Sequence, residues 1–232
     1  MDRDAATPQQ AAYKHIRENI LSGLLPAGSW LKAEAIAQKL AISRMPVRDA
    51  LRQLDSEGLV TIRLNRGATV TNLTAEDILE LFEIRSVLEG LAAKIAAART
   101  TQSEVSELEF LIEQMERAKP DRRRWIERHD AIHDYLCAIS GRIELCEQIS
   151  RLRARVRPYL LMYSATHGDP ELPGHEHWRF LEPLRTGDGE EAERIVRAHV
   201  IENGRSILGG LTSTRALSET QSGERENRKR AG

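Results

Sequence analysis

Cysteine is nearly absent from this chain. Cys137 and Cys146 are the only two, nine residues apart in a segment of helical pattern, and no CxxC pair exists. That argues against a disulfide framework and for a reducing compartment. Aromatic residues make up only 4% of the sequence, while Ala, Leu, Ile, Glu and Arg dominate. The balance favours a mostly helical soluble protein over a β-sandwich. Long apolar runs are missing too, so no bilayer-spanning segment and no membrane partner are expected. The opening Met1-Asp2-Arg3-Asp4 lacks the cationic start and apolar run of a signal peptide, which leads to an expected cytoplasmic location. Also lacking are HExxH, a Gly-rich phosphate loop and a GxSxG elbow, and the chain is not read as an enzyme.

What is present suffices for two modest domains, each with a core of its own, in 232 residues. The net charge of −1 conceals an asymmetry, because residues 8–72 hold nine Lys and Arg against five Asp and Glu. A basic N-terminal domain fits a polyanionic partner. Within it, Ile16, Ile20, Leu21 and Leu24 keep helical spacing, and Gly23 with Pro26-Ala27-Gly28 ends that helix. A second helix over about 32–40 turns Ile36, Ala37 and Leu40 inward. Ala41-Ile42-Ser43 then makes a tight turn with Ser43 as N-cap. The third helix, about 44–57, carries Val47, Ala50, Leu51 and Leu54 on one stripe and is closed by Gly58. Two strand-like pieces, 59–63 and 68–71, flank Leu64-Asn65-Arg66-Gly67, which reads as a hairpin tip.

From Thr74 onward the strand signal disappears. Helices are expected over about 75–99, 102–118, 121–140, 142–165, 174–186 and 189–210, separated by Pro120, Gly141, Gly168-Asp169-Pro170 and Gly187-Asp188-Gly189. Pro158 falls inside one of them and should kink it or mark a boundary. The domain boundaries follow as 8–72 and 75–211, with residues 212–232 too polar to bury and expected to be disordered.

Helix, tight turn, helix and hairpin make a winged helix-turn-helix. Such a module needs short or basic side chains at the start of its second helix, where they reach base edges and phosphates. Ser43, Arg44, Met45, Pro46 and Arg48 stand there; Arg44 and Arg48 share a face, and Arg52 continues the row. Arginine suits the task because its planar fork binds guanine or clamps phosphate through two hydrogen bonds. Arg66-Gly67 at the wing tip could follow the minor groove or backbone, with the glycine allowing close approach. The run from Ala41 to Leu54 (Ala-Ile-Ser-Arg-Met-Pro-Val-Arg-Asp-Ala-Leu-Arg-Gln-Leu), then Gly58-Leu59-Val60 and Arg66-Gly67-Ala68-Thr69-Val70, resembles the GntR family of bacterial transcription regulators. The resemblance implies operator contacts from Arg44, Arg48, Arg66 and Gly67. It also implies a homodimer on a pseudo-palindromic DNA operator, expected to act as a repressor. Some relatives carry an arginine where this chain has Ala35, so its contacts could be fewer or shifted.

Six of the seven histidines lie in the second half of the chain, and His129 and His133 share one face of a helix. Neutral imidazole is the commonest protein metal ligand. Three sets of residues here are similar to the FCD effector domain of the FadR-type subfamily. They are the stretch 81–89 (Leu-Phe-Glu-Ile-Arg-Ser-Val-Leu-Glu), Ile132-His133 with Ala138-Ile139-Ser140-Gly141, and Glu176-His177 with Arg197-Ala198-His199. That likeness, over about 75–210, implies an all-α bundle. It further implies a divalent ion, zinc or nickel, held by His133, His177 and His199, and a small organic acid bound to the ion. The family's ligand aspartate falls at His129, so the fourth ligand is either His129 itself or the adjacent Asp130. Arg85 matches an arginine that faces the effector and pairs with its carboxylate; its alternative is an intrahelical pair with Glu89. Glu176 could orient His177, or be a solvated acid at a helix start. His15, His167 and His175 match no ligand position. A regulator in which the ion itself is the signal, and a metal-dependent hydrolase, remain as alternative readings.

Overall fold

The computed structural model describes residues 6–63, 66–166 and 177–230, with side chains described to residue 162 and from 177 to 209. Several expectations lie outside these residues: the hairpin tip at Leu64-Asn65, the break at Gly168-Asp169-Pro170, a helix onset at 174, and the roles of His167, His175 and Glu176. The described chain divides into two compact units. One comprises Met1–Thr74 with Arg151–Pro158, the other Ala75–Ser150 with Tyr159–Gly232.

The first unit begins with α1, Pro8–Leu21. Thr7 caps it reciprocally with Gln10, and Pro8 occupies the first turn, where its missing N–H removes no helical bond. Ala12, Ile16 and Ile20 form its buried stripe. After α2, Ala33–Leu40, the chain reverses at Ala41, whose φ of 53° is the one positive value outside glycine among the described residues. The left-handed region costs an L-residue about 1–2 kcal/mol, so the reversal between α2 and α3 (Arg44–Ser56) is held by the packing of both helices. Strands β2 (Val60–Arg63) and β3 (Gly67–Val70) pair antiparallel, as expected for a wing. A further strand, β1 (Trp30–Leu31), pairs with β3 on its other side, giving the order β1-β3-β2 where the sequence pattern shows a two-stranded hairpin. Two residues are too short to carry an alternation, so β1 has no signature of its own. The core joins Val47, Ala50, Leu51 and Leu54 to Leu59, Val60, Ala68, Val70 and Ala154.

Among its described residues the second unit is all helical: α4 (Ala75–Ala97), α5 (Gln102–Arg117), α6 (Arg122–Ile139), α7 (Ile143–Thr166), a 3₁₀ turn (His177–Phe180), α8 (Leu181–Thr186) and α9 (Gly189–Arg230). A single helix was expected across 174–186. The chain instead takes the 3₁₀ turn before α8, and Pro183, which has no N–H to donate, then fits in the first turn of α8. Helix α7 runs through Pro158, and its segment Arg151–Pro158 belongs to the first unit. The backbone of α9 is helical as far as Arg230, whereas composition led to disorder from residue 212. Extending a nucleated helix fixes one residue per added hydrogen bond, and the Glu, Arg and Lys of this stretch are good helix formers.

Helices α4 and α9 pack closely because each presents a glycine at the contact. A Cβ on Gly90 would meet Arg197 Cγ at 2.4 Å, and one on Gly204 would meet the Phe82 ring at 2.7 Å. This approach brings α9 histidine chemistry beside α4. Helices α5 and α6 form the remaining wall, with Val105, Leu108, Ile112 and Met115 buried alongside Trp125, Ile126 and Ile132. Cys137 on α6 and Cys146 on α7 are free thiols in contact, and burial pushes the Cys137 thiol above its ordinary range.

Candidate functional site

The four histidines reach one point from three elements. His129 and His133 stand one turn apart on α6, His177 comes from the 3₁₀ turn and His199 from α9. Their exposures are 6%, 3%, 0% and 6%, and one nitrogen from each lies within 4.8 Å of the other three. The Nε2 atoms of His133 and His177 are 3.3 Å apart. Ring centroids separate by 4.7 Å for His129 and His133 and by 4.5 Å for His177 and His199. Trp125 stacks on His129, and Phe180 closes the side of His177 and His199.

Burial holds His199 well below the usual histidine range, the imidazoles of His177, His133 and His129 push it further down, and Glu89 opposes them. A ring kept neutral in this way offers a lone pair. The amide of Asn203, one turn along α9, lies 3.0 Å from its Nε2 and holds the ring in place. Asp130 is not one of the converging groups; its carboxylate stands 3.9 Å from Nδ1 of His129 and is partly exposed. Among the described residues the converging groups are therefore four imidazoles and no anion, a nitrogen set that suits zinc or nickel.

Arg85 is buried and donates to Glu89 Oε1 from Nε at 2.9 Å, with its Nη2 at 2.8 Å. The other carboxylate oxygen of Glu89 lies 2.8 Å from Nδ1 of His133. Sequence reasoning had Glu89 only as a possible partner for Arg85, and it missed Asn203. An i, i+4 spacing was the only signal for either.

On the first unit, Ser43, Arg44, Arg48 and Arg52 are exposed along α3, and Pro46 is half-buried in its first turn. Ser43 holds the N-cap position, but its hydroxyl makes no capping hydrogen bond and remains at the surface. Arg44 pairs with Glu34 of α2, and Arg52 with Asp49 at 3.2 Å. Arg66 and Gly67 are exposed at the start of β3, beside the exposed ring of Trp30. All seven residues predicted to meet DNA belong to α3, its N-cap and the wing.

Residues 8–70 match the bacterial regulatory proteins of the gntR family, and residues 80–202 match the FCD domain. The chain is 27% identical over 201 residues to the HTH-type transcriptional repressor RspR of Escherichia coli (strain K12), spanning 85% of this chain and 88% of that protein. It is also 27% identical over 191 residues to the HTH-type transcriptional regulator YdhC of Bacillus subtilis (strain 168), spanning 81% and 85%. The structure of E. coli McbR/YncC shares the fold, with a TM-score of 0.77 at 23% identity over 90% of this chain and 100% of that one. A winged reading head followed by a helical domain defines a bacterial transcription regulator, a class of DNA-binding proteins and not of enzymes. The chain belongs to the gntR family, in the group whose second domain is an FCD domain.

Proposed function

We propose that this regulator is a repressor that binds a pseudo-palindromic operator as a homodimer and is controlled by a small carboxylate at a divalent ion. The ion would be held by His129, His133, His177 and His199, and the convergence of these four buried rings is the observation that carries the reading. Four neutral imidazoles leave the ion its full positive charge, and a charge in a buried site favours an anionic ligand. The row of Ser43, Arg44, Pro46, Arg48 and Arg52 would enter the major groove, while Arg66 and Gly67 of the wing follow the backbone or minor groove. Exposed Ile84, Val87 and Leu91 lie on one stripe of α4, an apolar face suited to a two-fold partner. The protein would work in the cytoplasm, where operator DNA is; among the described residues no helix is long and apolar enough to cross a membrane.

The set of four nitrogens supports a second reading. Closed tetrahedral sites are typical of structural zinc, so the ion alone could be the signal. One experiment separates the two: operator binding by the full-length protein with ion alone and with ion plus a panel of small carboxylates. Control by a carboxylate predicts that DNA affinity changes only in the second arm, by roughly 5–150-fold. A full response to ion alone favours metal sensing. Affinity that is unchanged throughout rejects both.

A further inference from the structure

We infer that Glu89 is a positioning residue for the metal centre: it sets the tautomer of His133 and supplies the negative charge that the four donors lack. The inference rests on the reading of the histidine cluster as a metal site. An ion bound there would bring charge into a buried place, and among the described residues no anionic side chain converges with the four rings. Glu89 is itself 4% exposed and stands directly behind one donor. Its Oε1 is taken by Arg85, at 2.9 Å from Nε and 2.8 Å from Nη2. Its Oε2 faces the histidines, 2.8 Å from Nδ1 of His133, and among the described residues no hydrogen-bond donor is aligned on it. The contact with His133 is therefore first of all electrostatic.

Two consequences follow from this arrangement. A carboxylate against Nδ1 favours a proton on that nitrogen. Nε2, the atom 3.3 Å from Nε2 of His177, is then left as the donor toward the cluster. Second, the Arg85–Glu89 pair is polarised, with its carboxylate toward the rings and its guanidinium behind. The pair is neutral as a whole, yet it presents its negative end to the ion. Arg85 thus acts through Glu89, holding one oxygen so that the other stays on His133.

Neutralising Glu89 alone would strand a buried guanidinium, so the decisive variant is Arg85→Gln with Glu89→Gln, which removes both charges at once. Full-length wild type and variant are loaded with Co2+ or Zn2+ alone and titrated against a chromophoric chelator. The variant should release the ion about 10- to 100-fold more readily. A variant that holds the ion as tightly as wild type overturns the inference while leaving the metal site intact. A wild type that binds no ion overturns the metal reading and this inference with it. Should the variant fail to fold, long-range 1H–15N spectra of metal-free wild type decide the matter. Nδ1-protonated His133 is expected, and a neutral ring protonated at Nε2 would refute the role given to Glu89.

Discussion

Loading the protein with a divalent ion should raise its melting temperature, and His177→Ala should abolish most of that rise. His177 is the sharpest probe because it is fully buried and is the one donor that comes from neither α6 nor α9. Its ring is 4.5 Å from that of His199 and 5.0 Å from that of His129, centroid to centroid, so it has a place in the cluster that no neighbour can fill. Binding to the folded state alone stabilises it by RT ln(1 + [L]/Kd), about 2.7 kcal/mol at an ion concentration of 100 Kd. At about 2–4 °C per kcal/mol for a protein of this size, the shift is roughly 5–11 °C. If losing one donor in four weakens binding a hundredfold, the same ion concentration adds only about 0.4 kcal/mol, or roughly 1 °C. The variant also leaves a cavity that lowers its metal-free melting temperature. The quantity to compare is therefore the increment on adding ion, measured by calorimetry for each protein with Zn2+ and with Ni2+. No increment in the wild type, or an undiminished one in His177→Ala, would refute the reasoning.

Other perturbations test the remaining parts. Arg44→Ala should weaken operator binding by about 1–3 kcal/mol and relax selectivity at one base pair if the side chain reads a base, while an equal loss on all sequences would mark a phosphate contact. Val87→Glu places a charge in the exposed stripe of α4, and analytical ultracentrifugation should then show monomers; a dimer that persists would move the interface elsewhere. Metal-free protein should lose stability on acidification because burial depresses the proton affinity of His199. Above about pH 6.5 that ring is neutral in both states; below it the unfolded chain takes up a proton that the folded site refuses, so stability falls by up to about 1.4 kcal/mol per pH unit. Denaturant titrations between pH 7.5 and 5.5 measure the slope, and a flat profile would contradict the burial argument.

Local pattern was enough for much of this protein. Apolar spacing, turn residues and the run from Ser43 to Leu54 define the reading head, because helix stripes and turns are set by neighbours a few residues apart. Resemblance to the FCD domain, and not spacing, brings His133, His177 and His199 into one list and leaves the fourth donor open between His129 and Asp130. That choice belongs to the tertiary structure. Both residues are on α6, and only the packing of α6 against α4 and α5 decides which of two adjacent side chains points inward. The structure turns His129 in and leaves Asp130 at the edge. Strand β1 has the same explanation: Trp30 and Leu31 are extended because β3 is beside them. Glu89 illustrates it most fully. In the sequence it is one more acid, four residues after an arginine. Only the packing of α4 against α6 places its second oxygen on His133. Short-range periodicity determines which face of a helix is buried, but the identity of the group it meets there depends on residues distant in the chain.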